Sequence, residues 1–183
     1  MPAVAQALDD AAIRPTDVSA IVCGAGPGSF TSLRIAAGLA KGMSTALDVP
    51  LFAVSSLALL VAAAERPAGR YLPLIDALRG EYFAARVQID HDGRVGSPVV
   101  ASLLGAADVI PLCEREGLIP IGLDAAGREN PDAAALAHLV GTAATPHKVS
   151  VADWEPDYGR LAEAQAKWER EHGMQLSGAM RTG

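Results

Sequence analysis

The stretch Gly24-Ala25-Gly26-Pro27-Gly28-Ser29-Phe30-Thr31-Ser32-Leu33-Arg34 constrains the fold of this 183-residue chain more than any other. It follows a short apolar run, Ala20-Ile21-Val22-Cys23, and precedes a helix predicted over Ser32–Leu47. Three glycines in five positions admit backbone torsions with positive φ that other residues resist. Pro27 fixes its own φ and removes a donor, which stiffens the turn. A strand, a rigid turn and a helix N-terminus with Ser29 and Thr31 make either an anion cradle or a tight packing turn. Both readings stay open on this stretch alone.

Half of the residues are hydrophobic, a fifth are charged and only 4% are aromatic, so the core is built from Ala, Val, Leu and Ile. The net charge of −6 argues against a dominant nucleic-acid surface, because that affinity comes mainly from Lys and Arg. Cys23 and Cys113 lie far apart in apolar surroundings and read as buried, reduced thiols of a cytoplasmic protein. No apolar run reaches the ~20 residues of a membrane span; the segment 49–64 is broken by Pro50, Ser55 and Ser56.

In order, the pattern predicts a helix over Val4–Ile13 and a buried strand over Ser19–Cys23. The glycine turn and the helix Ser32–Leu47 follow, then a strand Leu51–Val54 and a helix Leu57–Glu65 capped by Ser55 or Ser56. Parallel crossovers join these elements. The helix over Ser32–Leu47 carries only Arg34 and Lys41 as charges, on nearly one line, and is otherwise apolar or small. Such a helix is expected to be covered on both sides, as a central core helix or as a subunit interface. Gly38 and Gly42, four apart, would admit a second backbone.

Arg66-Pro67-Ala68-Gly69 reads as a linker between a first lobe (1–66) and a second (67–150), with a C-terminal segment (151–183). Beyond it the pattern predicts strands at Arg70–Asp76, Glu81–Ile89 and Arg94–Ala101, with turns at Leu78-Arg79-Gly80 and His91-Asp92-Gly93. A helix over Leu103–Glu116 interrupted by Pro111, a strand Leu118–Gly122 and a helix Pro131–Thr142 complete the unit. Leu161–Glu171 reads as a charged helix before a polar tail. The second half thus reads three strands, helix, strand, helix; the first half matches it if three opening strands are missing.

Chemical motifs are sparse. A P-loop needs Lys-Ser or Lys-Thr after its last glycine, and Phe30-Thr31 stands there instead. A dinucleotide fingerprint needs glycine where Ser29 is, and an acid closing the next strand, whereas Asp48 precedes it. Gly-x-Ser-x-Gly is absent. The histidines His91, His138, His147 and His172 show no metal-ligand spacing, so no metal, cofactor or catalytic residue is assigned. Asp76 is the best-placed carboxylate, and a turn-forming role is expected for it.

Three blocks, namely Gly26–Ile35, Ala40-Lys41-Gly42, and Pro50 with Val54-Ser55-Ser56-Leu57, resemble the TsaB (YeaZ) family. Asp76-Ala77-Leu78-Arg79-Gly80-Glu81-Tyr82 and Pro156-Asp157-Tyr158-Gly159-Arg160 resemble it too, while Ser32 stands where the family usually has glycine. The resemblance implies an α/β, actin-like (ASKHA) two-lobe fold. It also implies a strand hairpin with an Asp-Thr-Ser type motif ahead of the first helix, which this sequence lacks. A first lobe without those strands is expected.

The implied role is a non-catalytic subunit for N6-threonylcarbamoylation of the adenosine beside the tRNA anticodon. The implied partners are TsaD, as a heterodimer, and TsaE through that complex, with tRNA met only indirectly. A homodimer through the same helices is an alternative, as is an ATP-dependent or peptidase-like enzyme of the same fold. The paralogue's metal histidines would fall at Ser56 and Leu60. The implied interface uses the helices Val4–Ile13 and Ser32–Leu47, with Val4, Leu8, Leu33, Arg34, Ala37, Gly38 and Lys41 as its candidates. Gly26, Pro27, Gly28, Ser29, Phe30 and Thr31 are its structural loop.

Overall fold

The computed structural model describes residues 2–64, 66–96, 98–122 and 130–159. The helix expected at Leu161–Glu171 lies outside the described residues, as do Arg160 and His172.

Helix α1 (Pro2–Asp10) stops before the expected Ile13. Ala12 turns left-handed (φ 53°), and the amides of Ala12 and Ile13 return to the carbonyls of Asp9 and Leu8. That is a Schellman ending with alanine where glycine is usual. A 3-10 turn at Pro15–Asp17 leads to β1 (Ile21–Gly24), displaced C-terminally from the expected Ser19–Cys23. Helix α2 (Phe30–Leu47) begins two residues earlier than expected, at the end of the glycine turn. It closes at Asp48, left-handed at φ 54°. β2 (Leu51–Val54) occupies its expected span and runs parallel to β1, with Ile21 opposite Leu51 and Gly24 opposite Val54. Ser55 caps α3 (Ser56–Ala63) by accepting the Ala58 amide.

Burial separates the two helices in a way the apolar pattern did not. α2 buries one stripe, Leu33, Ala37, Ala40 and Ser44, and leaves its opposite side open. α3 is the helix enclosed on every side, with Leu57, Ala58, Leu60 and Val61 at zero exposure. The central core helix is therefore α3, because two turns of Leu, Ala and Val carry no polar residue after Ser56.

β3 (Gly69–Asp76) anchors the second sheet. The strand expected at Glu81–Ile89 is split into β4 (Glu81–Ala84) and β5 (Val87–Ile89), which pair with β3 in one unbroken register. The break falls opposite Pro73, whose missing N–H interrupts the ladder. The Asp90–Arg94 turn closes as expected, with Gly93 at φ 75°. Among the described residues of 94–101 there is no strand beyond a single bridge from Val95 to Ile89, since Gly96 and Pro98 are poor strand residues.

The third strand is instead β6 (Ser102–Gly105), antiparallel to β4. Leu103 and Leu104 thus belong to a strand, and α4 covers only Ala106–Glu116, running through the exposed Pro111 without breaking. β7 (Ile119–Ile121) pairs parallel to β3. The helix expected at Pro131–Thr142 is a 3-10 segment, Ala133–His138, capped by Asp132 and not started by Pro131.

A strand that the pattern did not reveal, β8 (His147–Val149), returns to the first sheet and pairs antiparallel with β2. The first sheet is ordered β1-β2-β8; the second has β3 flanked by β4 and β5 on one side and β7 on the other, with β6 outermost. The largest core cluster lies between α3, the second sheet and Leu139, which follows the 3-10 segment. Cys23, Ala40 and Leu51 form a smaller one beneath α2.

Candidate functional site: a clasped glycine turn and an open helix face

The glycine turn is held by its own backbone. Ala25 donates to the Val54 carbonyl at 2.7 Å, and Ser56 donates to the Gly26 carbonyl at 2.8 Å. From far down the chain, Asp157 donates to the Ala25 carbonyl at 2.7 Å. Gly26 sits at φ 96°, and a Cβ there would collide with the Asp157 carbonyl and press on Leu33. Gly26 and Pro27 are buried, with a cis peptide bond between them; Gly28 is half-buried, and Ser29, Phe30 and Thr31 are exposed. Ser29 occupies the N-cap position of α2 without capping it through its hydroxyl. The bonds of Ala25 and Gly26 are those of a packed turn.

The segment Trp154–Gly159 is the other half of the clasp. Tyr158 packs on Phe30 with ring centroids 4.8 Å apart and planes tilted by 49°, and the Arg34 guanidinium lies 5.3 Å from the Phe30 centroid. The Tyr158 hydroxyl donates to Glu155 at 3.0 Å, and Glu155 pairs with Lys41 of α2 at 3.4 Å. Burial, then the bond to Glu155, raises the Tyr158 pKa. Gly159 turns at φ 64°, its Cα against the Phe83 ring, which joins the clasp to the second sheet. Glu155 and Asp157, which make these contacts, are not among the site candidates drawn from the sequence, although Asp157 lies in the Pro156–Arg160 block quoted above. Their signal was a run of Trp, Pro and Tyr in a chain that is poor in aromatics.

The expected interface residues fall on two different faces. Leu33 and Ala37 are buried (8% and 5% exposed) on the sheet-facing stripe of α2 and so are not available to a partner. Helical spacing sets this, since 33, 37, 40 and 44 share one side. Arg34 and Gly38 are exposed, Lys41 is half-buried, and Val4 and Leu8 of α1 are half-buried. Ile35, 67% exposed, and Gly42 complete the outer face and were not among the candidates. A Cβ added at Gly38 or Gly42 would meet no atom of the described residues within 4 Å beyond its own helix turn.

Asp76 accepts the Leu78 amide at 2.7 Å, the turn-forming role expected of it. Both cysteines are free and buried, and burial raises their pKa values. Among the described residues there is no group of three or more His, Cys, Asp or Glu placed to hold a metal, and no helix is long and apolar enough to cross a membrane.

The two sheets and their helices define an actin-like α/β protein. The family model for TsaD, tRNA N6-adenosine threonylcarbamoyltransferase, matches residues 1–100. The chain is 33% identical over 186 residues to the tRNA threonylcarbamoyladenosine biosynthesis protein TsaB of Bacillus subtilis (strain 168), covering 92% of this chain and 81% of that protein. With the TsaB of Escherichia coli (strain K12) it shares 38% identity over 95 residues, 51% of this chain and 41% of the relative. Among solved structures, a Pseudomonas aeruginosa protein with similarity to peptidase YEAZ superposes with a TM-score of 0.67 at 29% identity, over 87% of this chain and 82% of that one. The chain belongs to the TsaB (YeaZ) family.

Proposed function

We propose that the chain serves tRNA threonylcarbamoyladenosine biosynthesis as a non-catalytic subunit that binds TsaD through the outer face of α2. Its TsaB relatives are biosynthesis proteins for that modification. The observation that carries the binding reading is the pair Gly38 and Gly42. Glycine inside a helix costs about 1 kcal/mol relative to alanine. Nothing among the described residues requires it, since both positions face open space there, beside the exposed Ile35. A second helix laid against this ridge would use the missing side chains and cover Ile35. Arg34 and Lys41 lie along the edge of the same face of α2.

The non-catalytic reading is supported at Ser56 and Leu60, the positions of the paralogue's metal histidines. The Ser56 amide is bound to the glycine turn, and Leu60 is wholly enclosed by the core. TsaE joins through the TsaD complex, tRNA is met mainly through TsaD, and the assembly works in the cytoplasm. A homodimer through the same face would occupy the surface when TsaD is absent.

The test is co-purification of tagged TsaD with the wild-type chain and with Gly38→Glu, whose charge would enter the contact without disturbing the helix core. Loss of co-purification by a folded Gly38→Glu variant is expected. Undiminished capture would place the interface elsewhere. ATP hydrolysis or proteolysis by the purified chain alone would sink the scaffold reading in favour of a peptidase-like enzyme.

A further inference from the structure

Away from the clasp and α2, three arginines converge on the C-terminal end of α4. Arg86, in the break between β4 and β5, grips Glu116 with two parallel bonds, Nε to Oε2 at 2.6 Å and Nη2 to Oε1 at 2.8 Å. Arg115 reaches the same Oε1 at 3.4 Å. Arg70 of β3 donates through Nη1 to the Glu116 backbone carbonyl at 2.5 Å. All three guanidiniums therefore lie around one residue. Glu116 and the exposed Glu114 are the acids on the same helix end, so the patch is net positive in a chain of net charge −6.

A structural role accounts for part of this arrangement. Arg70 caps a helix carbonyl, and Glu116 ties α4 to the second sheet. One arginine would suffice for each task, yet Arg115 adds a third positive charge with a long, exposed contact. A guanidinium has five N–H donors, and these bonds leave most of them unused. Arg86 and Arg115 are 53% and 67% exposed, and Arg70 is exposed as well. Guanidinium forks match phosphate oxygens, and Glu116 holds Arg86 in a fixed orientation.

We propose that Arg70, Arg86 and Arg115 form a contact for the phosphate backbone of RNA, an auxiliary grip on the tRNA that TsaD acts upon. The ligand class rests on the role in tRNA modification proposed above. The patch reads charge and not sequence, as backbone contacts do. Its contribution is confined to a few phosphates, consistent with the acidic chain around it.

The test measures tRNA binding to the TsaD complex by fluorescence anisotropy across a salt series. Arg115→Glu is expected to weaken binding by about three- to tenfold and to reduce the salt slope by about 1, the signature of one lost phosphate contact. Glu116→Gln removes the competing carboxylate and is expected to tighten binding. A purely structural cluster gives a different pattern: neither variant changes affinity or slope, whatever Glu116→Gln does to the melting temperature. That result would overturn the proposal, and because Arg115 makes only an exposed contact, its variant alone is decisive if Glu116→Gln does not fold. Failure of the wild-type chain to bind TsaD is a failure of the scaffold reading. The same titration on the chain alone then decides the patch.

Discussion

The contrast between α2 and α3 makes a quantitative prediction. Leu60 of α3 has no exposed surface, whereas Ile35 of α2 is 67% exposed. Leu60→Ala removes three carbons from a closed core, about 2.4 kcal/mol at about 0.8 kcal/mol per buried methylene. The cavity left behind raises the expected loss to about 3–4 kcal/mol, since buried Leu→Ala changes span about 3–5 kcal/mol. Gly122, whose Cα side already lies against Leu60, has no side chain with which to fill the space. Ile35→Ala loses little burial and gains helix propensity of about 0.4 kcal/mol, so the expected change is within about 0.5 kcal/mol of zero. Urea unfolding followed by far-UV circular dichroism measures both. A Leu60→Ala loss below about 1 kcal/mol, or an Ile35→Ala loss above about 2 kcal/mol, would refute the assignment of α3 as core and α2 as uncovered.

Three further outcomes follow from the same geometry. The Arg86 bond holds the Glu116 pKa at about 2, below the ordinary value of 4.5. The stability this adds is complete above about pH 4.5 and is lost as pH falls through about 2. Melting temperatures over that range should therefore fall less steeply in Glu116→Gln, and parallel acid limbs would contradict the ion pair. Gly26→Ala should lower stability by about 2 kcal/mol or more, through left-handed strain and contact with the Asp157 carbonyl; a thermal melt unchanged from wild type would count against the clasp. Both thiols, raised in pKa by burial, should resist a disulfide reagent until denaturant is added. Prompt labelling of Cys23 in the native protein would show that the cover of α2 over β1 is wrong.

The first half of the chain was legible because its signals are local. Gly-Pro-Gly between an apolar run and a long helix fixes a strand-turn-helix, and Leu51–Val54 stands between clear breakers. The second half depended on pairing. Pro73 splits the expected strand at Ala85 and Arg86, and this is visible only once the register is known. β8 carries His and Lys and pairs with a strand nearly a hundred residues earlier, so periodicity gave no sign of it.

The candidate site divides the same way. The glycine turn could be read from its residues, whereas Asp157 and Tyr158 act on it through contacts more than a hundred residues away in sequence. The two faces of α2 look alike in an Ala- and Gly-rich helix. Only the position of the sheet decides that Leu33 and Ala37 point inward while Ile35 and Gly38 point out. The arginine patch was hidden because Arg70, Arg86 and Arg115 come from a strand, a break between two strands and a helix end.

The most direct measurement of the central claim is reconstituted threonylcarbamoylation of tRNA by TsaD and TsaE, with this chain wild type, changed at Gly38→Glu, or omitted. The account predicts modification with the wild-type chain and none without it. It also predicts loss with Gly38→Glu at an unchanged melting temperature, matched by loss of binding to TsaD. Full activity with a folded Gly38→Glu chain, or modification by the chain with TsaD left out, would contradict it.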